Sequence, residues 1–276
     1  MTKSGKLIRR MFKNLFKKHQ KNQYGWFGNY SSWAELSRET DGYDADVILE
    51  RTKNAILKVK NGEAVYERDS VVFDKKEYPF PLITFLLHSA TLNKKPLHVI
   101  DFGGSLGSTY YQVKEFLTPE ICGSWNVVEQ SHYVECGKSH FEDGVLKFYE
   151  SMDACLKEKT VDLVILSGSV QYLEKPHDFL QKLAEYNFQF LLFDRTAFHY
   201  GEKDRLTLQK VPPEIYPASY PSWFFNQTNF LSHFSSQYQM VAEFASYVKG
   251  EENTLIDGIQ SGYDKGFYLI NLSKHA

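Results

Sequence analysis

The chain has 276 residues, of which 42% are hydrophobic and 16% aromatic, enough apolar side chain to bury the core of one large domain. Its formal net charge is −2, but residues 1–34 hold eight of the 32 basic residues and none of the 34 acidic ones, so the remainder stands at −10. A body this acidic argues against general binding to nucleic acid, which requires clustered positive charge.

The three cysteines, Cys122, Cys136 and Cys155, have no CxxC spacing and are too few for a disulfide framework. The sequence therefore predicts no metal site and a reduced compartment. No run approaches the roughly 18 apolar residues of a membrane span, and basic residues interrupt the N-terminal apolar positions where a secretory signal would need continuity. We expect a cytoplasmic protein.

Residues 6–18 have apolar side chains at helical spacing, with Lys and Arg on the opposite face. This amphipathic pattern allows two interpretations, a peripheral contact with an anionic inner membrane or a terminal helix docked on its own domain. The domain organisation predicted from the sequence is a basic helix over residues 1–22, a helical and aromatic cap over 23–95, and a ligand-binding domain over 96–276.

Within the cap, residues 24–33 combine aromatic residues with glycines and are predicted to be irregular, too polar for a strand. Helices are predicted over 45–60 and over 79–92, the second opened by prolines.

From residue 97 onward, apolar strands alternate with helices. Strands are predicted at 97–102, 124–129, 146–149, 161–166 and 188–193, with helices at 107–118, 131–141 and 176–186. A proline-aromatic loop (212–225), a helix (227–236) and an antiparallel hairpin (238–247 with 267–272) follow. This order predicts an α/β fold with a doubly wound, Rossmann-like, mostly parallel seven-stranded sheet, an antiparallel C-terminal hairpin and an N-terminal helical extension.

The first of these strands ends in an acid and a glycine turn, Asp101-Phe102-Gly103-Gly104-Ser105-Leu106-Gly107. A phosphate-binding P-loop would end in Gly-Lys-Ser/Thr, and no lysine is present. A dinucleotide fingerprint would have glycine at positions 105 and 108, where serine stands. An acid followed by Gly-x-x-x-Gly suits S-adenosylmethionine (SAM), with Asp101 receiving the α-amino group through water and the backbone of Gly103, Gly104, Ser105 and Gly107 under the methionine part.

The strand that follows ends in Glu129, about 20 residues beyond the turn, where an acid can bind both ribose hydroxyls. The alternative is that Glu129 caps the next helix. Asp153 or Glu150 is placed to meet the adenine amino group. The remaining predicted cofactor contacts are adjacent to strand ends: Gln130, Ser167 and Ser169.

Several segments between residues 24 and 225 resemble SAM-dependent class I methyltransferases, and more narrowly a methyltransferase family of bacterial surface-polysaccharide gene clusters. The segments are Trp26-Phe27-Gly28, Gly42-Tyr43-Asp44, Tyr66-Glu67-Arg68-Asp69-Ser70, the glycine turn, Val128-Glu129-Gln130, Ser169-Val170-Gln171-Tyr172-Leu173, Asp194-Arg195-Thr196 and Tyr220-Pro221-Ser222-Trp223-Phe224. The resemblance implies a cytoplasmic enzyme that methylates a sugar or glycolipid precursor. The chain departs from the wider superfamily at Ser105, where glycine is frequent.

In a doubly wound fold the acceptor lies above the carboxyl ends of the strands, which selects Gln171, Tyr172, Asp194 and Arg195 as acceptor contacts. Arg195 either binds an anionic acceptor group or pairs with Asp194 and shapes the loop.

His199 is the preferred general base because the unperturbed pKa of histidine, near 6.5, is close to working pH, although a surface-loop histidine is nearly as plausible an interpretation. Glu67 and Arg68 are predicted to wall the acceptor pocket, with Asp69 as reserve base, or else to form a solvated turn or an Arg–carboxylate strut. Trp26, Trp33 and Trp223 either stack on sugar faces or pack locally.

The leading hypothesis is therefore SAM-dependent O-methylation of a sugar or glycolipid. Two alternatives remain open: methylation of a small metabolite or a protein group, and a catalytically silent SAM-fold subunit of a membrane-associated assembly complex.

Overall fold

The computed structural model describes residues 23–37, 40, 46–215 and 218–274, so the predicted helix at 6–18 lies outside the described residues. Within the part of the chain that is described, no helix is long and apolar enough to cross a membrane. The helices are α1 (Trp33–Leu36), α2 (Asp46–Lys60), α3 (Phe80–Asn93), α4 (Ser108–Val113), α5 (Ser131–His140), α6 (Met152–Glu158), α7 (Pro176–Glu185) and α8 (Gln227–Ser232).

Thirteen strands are found in the described ranges. They are β1 (Gly25–Tyr30), β2 (Tyr66–Arg68), β3 (Val71–Phe73), β4 (Leu97–Phe102), β5 (Cys122–Val128), β6 (Leu146–Tyr149), β7 (Leu163–Ser167), β8 (Phe190–His199), β9 (Arg205–Lys210), β10 (Ser219–Phe224), β11 (Tyr238–Ala245), β12 (Thr254–Ile256) and β13 (Ile259–Asn271). β2 and β3 form a separate hairpin, and the others belong to one sheet.

The centre of the sheet has the strand order β6-β5-β4-β7-β8-β13, with β11 paired to β13. The pairs from β6 to β8 are parallel, whereas β13 is antiparallel to β8 and β11 is antiparallel to β13. These are the seven predicted strands, and the predicted doubly wound fold with an antiparallel C-terminal hairpin is confirmed.

Four further strands, in the order β10-β9-β1-β12, continue the sheet from the first half of β13. Residues 24–33 are therefore not irregular as predicted, since Gly25–Tyr30 is β1, and part of the predicted loop 212–225 is β10. Both segments are strands because each pairs with β9. Pairing between segments distant in the chain produces no local pattern from which a strand could be predicted.

Apolar clusters cover both faces of the central sheet. Val99 and Trp125 pack with α3 and α5 on one face, and Ile100 and Val164 pack with α7 on the other. Strands covered on both sides need apolar residues at successive positions, which explains the unbroken runs seen in the sequence. With both faces covered by packed side chains, the strand ends become the accessible edge of the sheet.

Strand β8 contains a β-bulge at Asp194 and Arg195. Phe193 pairs with Phe267 and Thr196 with Lys265, so two residues of β8 stand opposite Gly266 alone. Arg195 has a φ of 47°, in the left-handed region. The prediction that the strand stops before Asp194 is wrong, because the bulge absorbs both residues and the strand runs on to His199. Bulges re-aim side chains, and both Asp194 and Arg195 line the same cavity.

Gly266 is required for this bulge, since a Cβ there would lie 2.7 Å from the carbonyl oxygen of Phe193 and 2.2 Å from the ring of Phe244. We expect Gly266→Ala to lower the free energy of unfolding by about 1–3 kcal/mol through overpacking, measured by urea denaturation. Gly144→Ala is the matched control, because a Cβ at Gly144 meets nothing within 4 Å. Equal stability of the two variants would contradict this view of the bulge.

Candidate active site

A cavity of about 850 Å³ opens at the carboxyl ends of β4, β7 and β8. The chain runs from β4 outward to β6 on one side and returns to β7 on the other, so the cavity lies at the point where the strand order reverses. Open α/β sheets bind ligands at this point. Among the predicted site residues, those that line it are Glu67, Arg68, Asp69, Gly103, Gly104, Ser105, Ser167, Gln171, Tyr172, Asp194 and Arg195.

The glycine turn forms the floor of the cavity, with left-handed φ values of 69° at Gly103, 55° at Ser105 and 91° at Gly107. A Cβ on Gly103 would lie 2.7 Å from the Cβ of Ser169, and one on Gly104 would lie 2.5 Å from the carboxyl group of Asp101. The glycines therefore allow the turn to pack closely against Ser169 and Asp101 of the same chain. The sequence pattern did not predict these two contacts. Gly107 lies beside Leu146 and does not line the cavity.

Asp101 lies beneath the turn and does not line the cavity. It is 1% exposed, and its Oδ2 accepts a hydrogen bond of 3.0 Å from the indole Nε1 of Trp125. Burial raises the pKa of Asp101 to about 7. Its contact with a cofactor through water stays a prediction, while its contact with Trp125 fixes the base of the turn.

Glu129 is also beside the turn and outside the cavity lining. Its Oε1 accepts a hydrogen bond of 3.2 Å from the backbone N–H of Ser105, and its Oε2 accepts one of 2.9 Å from that of Gln130. Burial raises the pKa of Glu129, partly offset by these two donors. The carboxylate thus stabilises the turn directly, and its contact with ribose, like that of Gln130 with the cofactor, stays a prediction.

Asp194 is the buried carboxylate at the end of the parallel part of β8. It is 2% exposed and accepts a hydrogen bond of 2.9 Å from the hydroxyl of Ser167, its partner on β7. Burial raises the pKa of Asp194 to about 6, against the lowering effect of Arg195. A group with this pKa exchanges a proton near neutral pH.

Arg195 binds two carboxylates from distant parts of the chain. Its NH2 donates to Asp69 Oδ2 at 3.0 Å and to Glu251 Oε1 at 2.7 Å, and its Nε lies 3.1 Å from both oxygens of Glu251. Its carbonyl oxygen accepts from Gln171 Nε2 at 3.1 Å. The guanidinium therefore joins the β2–β3 hairpin, strand β8 and the segment after β11. The predicted pairing partner was Asp194, and the ion pairs formed are with Asp69 and Glu251.

The tip of the β2–β3 hairpin places Glu67 against helix α4. The buried carboxylate of Glu67 accepts hydrogen bonds from the hydroxyl of Ser108 at 2.6 Å and from the backbone N–H of Ser70 at 2.5 Å. Burial raises its pKa to about 7. Arg68 binds Glu77 at 3.0 Å, and Asp69 and Ser70 have φ values of 53° and 66°. Strain of this kind clusters at functional sites.

Two predicted site residues lie away from the cavity. His199 donates from Nε2 to the carbonyl oxygen of Lys203 at 2.6 Å and accepts at Nδ1 from the N–H of Gly201. Both ring nitrogens are engaged, so the geometry does not support His199 as base. Asp153 is exposed and pairs with Lys182 at 2.9 Å, which leaves its adenine contact without structural support.

Sequence reasoning missed several lining residues near the C-terminus: Tyr247 at the end of a predicted strand, and Glu251, Thr254 and Asp264 in the segment that follows it. Burial beside Glu251 and Asp194 raises the pKa of Asp264 well above its usual value. No spacing marks these residues in the sequence. The acidic side chains of Glu251 and Asp264 were the feature of the sequence that could have indicated a place in the site.

The cavity wall suits a cationic ligand. Its acidic residues (Glu67, Asp69, Asp194, Glu214, Glu251 and Asp264) outnumber its basic ones (Arg68, Arg195 and Lys210), although burial raises the pKa values of Glu67 and Asp264 and so reduces their negative charge near neutral pH. SAM has a sulfonium and an ammonium against one carboxylate, and opposite charges attract strongly in a cavity of low dielectric constant. The hydroxyl of Ser169, behind Gly103, is buried without a hydrogen-bond partner in the described structure. The residues present therefore fit SAM.

No family model and no curated protein matches the chain. Among solved structures, the N-terminal domain of EvdMO1 in the presence of SAH and D-fucose is similar at a TM-score of 0.47, with 12% identity over 83% of this chain and 98% of that one. The 1,6-didemethyltoxoflavin-N1-methyltransferase of Burkholderia thailandensis has a TM-score of 0.42, with 10% identity over 88% of this chain and 92% of that one. CalS10, an amino pentose methyltransferase from Micromonospora echinaspora, has a TM-score of 0.43, with 9% identity over 71% of this chain and 92% of that one.

The raised pKa of Glu67 predicts a pH-dependent stability. Between pH 4.5 and pH 7 the folded state binds more protons at Glu67 than the unfolded state does, so the free energy of unfolding falls as pH rises through this window. Glu67→Gln removes this loss, and we expect the variant to gain about 1–3 kcal/mol relative to wild type on going from pH 5 to pH 8.

Urea denaturation at both pH values measures this gain. Glu63→Gln, at an exposed position six residues before the hairpin turn at Asp69, is the control. If Glu67→Gln and wild type keep the same stability difference at pH 5 and pH 8, the carboxyl group is not protonated in the folded state.

Proposed function

We propose that this protein is a SAM-dependent methyltransferase. The observation that carries the proposal is the position of an acid-lined cavity at the strand-order reversal, with the Gly103–Gly107 turn as its floor. The likeness of the sequence segments to class I methyltransferases supports the same conclusion. The cofactor would lie along the turn, with its ribose toward Glu129 and its cationic end toward the cavity carboxylates.

SAM, when bound, would supply a methyl carbon activated by its sulfonium: the acceptor oxygen forms a bond to this carbon in line as the carbon–sulfur bond breaks, with S-adenosylhomocysteine as the leaving group. The protein has to orient the acceptor, exclude water and remove the proton of a hydroxyl. Arg195 fixes two walls of the cavity through Asp69 and Glu251 and so sets the shape in which the acceptor is aligned.

We assign the proton transfer to the Asp194 carboxylate. It lines the cavity at the carboxyl end of β8, where an acceptor lies in doubly wound folds, and Ser167 holds its Oδ2 at 2.9 Å. Its pKa of about 6 makes it ionised at neutral pH and able to accept a proton from a hydroxyl. Asp69, the reserve base of the sequence prediction, is ion-paired with Arg195 and is the weaker candidate.

The acceptor that we propose is a hydroxyl of a sugar or glycolipid precursor of a bacterial surface polysaccharide, as the sequence resemblance implies. An anionic acceptor is disfavoured, because Arg195, which was to bind it, is shared by two carboxylates. Methylation of a small metabolite or a protein group is the second candidate. A silent subunit is disfavoured, because such a protein has no need of a buried carboxylate at the acceptor position.

Calorimetric titration with SAM tests the cofactor assignment. We expect wild type to bind SAM and Glu129→Gln to bind it at least about tenfold more weakly, since a neutral amide replaces a charge-assisted pair of hydrogen bonds to ribose. Asp153→Asn, which changes an exposed carboxyl group away from the cavity, should bind SAM as wild type does. Absence of SAM binding by wild type would overturn the proposed function.

The base assignment is tested by methyl transfer from labelled SAM to a bacterial glycolipid fraction. We expect kcat of wild type to rise from pH 5 to pH 7, as Asp194 ionises, and Asp194→Asn to lose about 100-fold or more in kcat with this pH dependence abolished. His199→Ala should keep the activity and pH profile of wild type. An Asp194→Asn variant with full kcat would show that another group takes the proton.

A further inference from the structure

Three strands outside the doubly wound centre, β1, β9 and β10, contribute side chains to the wall of the cavity. On this wall Gln209 of β9 pairs in register with Trp26 of β1 on one side and with Tyr220 of β10 on the other. Residues directly opposite each other in antiparallel pairs project from the same face of the sheet. All three line the cavity and form what we term the aromatic–amide row (Trp26, Gln209 and Tyr220).

The side chains of the aromatic–amide row are held in place by their neighbours. The hydroxyl of Tyr172 donates to Gln209 Oε1 at 3.0 Å, so the amide carbonyl faces Tyr172 and its NH₂ group is turned the opposite way. The ring of Tyr172 meets that of Tyr220 edge to face at 5.3 Å, and Trp26 meets Phe224 in the same way at 5.8 Å. Rings fixed in this way lose little conformational entropy when a ligand packs on them.

The charges near the row disfavour an anionic ligand. Arg195 is taken up by Asp69 and Glu251, and the ammonium of Lys210 lies over the ring of Phe27, 5.9 Å from its centroid. Asp194 and Asp264 also line the cavity beside β8, and of the two Asp194 is ionised at neutral pH, because burial raises the pKa of Asp264 well above its usual value. Arg195 and Arg68 are each bound by protein carboxylates, so neither guanidinium is free to bind a uronate or phosphate, and the Asp194 carboxylate would repel such an anion at neutral pH.

We propose that the aromatic–amide row is the acceptor subsite and that it binds a neutral pyranose ring. The half-buried Trp26 ring packs on the C–H face of the sugar, the buried Tyr220 supports the row from behind, and the Gln209 NH₂ group donates to a ring hydroxyl. The description of this subsite as the acceptor site rests on the proposed function, whereas the affinity of the row for a neutral sugar does not.

Saturation-transfer NMR on the full chain with S-adenosylhomocysteine measures this affinity directly. The probes are methyl α-D-glucopyranoside and methyl β-D-galactopyranoside, each titrated to tens of millimolar, with methyl β-D-glucuronide as the anionic comparison. We expect at least one neutral glycoside to bind, and Gln209→Leu and Trp26→Leu each to weaken it by about tenfold or more.

Tyr200→Leu, at an exposed aromatic outside the cavity, is the matched control and should bind as wild type does. Thermal melting of each variant shows that a weakened affinity is not unfolding. The proposal is overturned if wild type binds neither neutral glycoside, if the glucuronide binds more tightly, or if both row variants bind as wild type does.

A parallel calorimetric titration with SAM separates the two claims. If sugar binding depends on the aromatic–amide row but SAM does not bind, the proposed sugar subsite is supported and the proposed methyltransferase function is rejected. If SAM binds but the row variants bind sugar as wild type does, the methyltransferase function is supported and the proposed sugar subsite is rejected.

Discussion

A buried guanidinium shared by two carboxylates holds the cavity together. Arg195 connects Asp69 on the β2–β3 hairpin with Glu251 in the segment after β11, and both segments lie far from β8 in the sequence. The Asp69 side chain is 54% exposed, so its ion pair with Arg195 contributes about 0–1 kcal/mol, whereas Glu251 is 21% exposed and accepts from two nitrogens of the guanidinium. Both segments of the cavity wall are therefore tied to the end of β8.

Backbone strain is concentrated around the same point. Asp69, Ser70, Ser105 and Arg195 have left-handed φ values without being glycine, and all four line the cavity. Each such residue costs of the order of 1 kcal/mol and persists where the surroundings determine it strongly. The bulge in β8 is the clearest case, since it turns both Asp194 and Arg195 toward the ligand space.

The sequence was sufficient for the central fold and for about half of the site. Strand–helix alternation predicted the five parallel strands β4 to β8, because strands buried on both faces show continuous apolar runs. The antiparallel pair β11 and β13 was predicted from two further strand patterns with no room for a crossover helix between them. The sequence could not predict β1 and β10, which become strands only by pairing with β9. Nor could it predict that Glu251 meets Arg195, a contact between residues 56 positions apart. The acid and glycine pattern located the turn. The position of His199 could not be predicted in the same way, because it depends on how far β8 extends past the bulge.

The central claim is that the cavity above the Gly103–Gly107 turn is a SAM site closed by the Arg195 network. The most direct measurement is a crystal structure of the full chain with S-adenosylhomocysteine. We expect the ribose hydroxyls within hydrogen-bond distance of Glu129, the thioether over the turn, and Arg195 still bound to Asp69 and Glu251. Density for the ligand at any other place, or an Arg195 that leaves both carboxylates to bind it, would show that this is not a SAM site of the proposed kind.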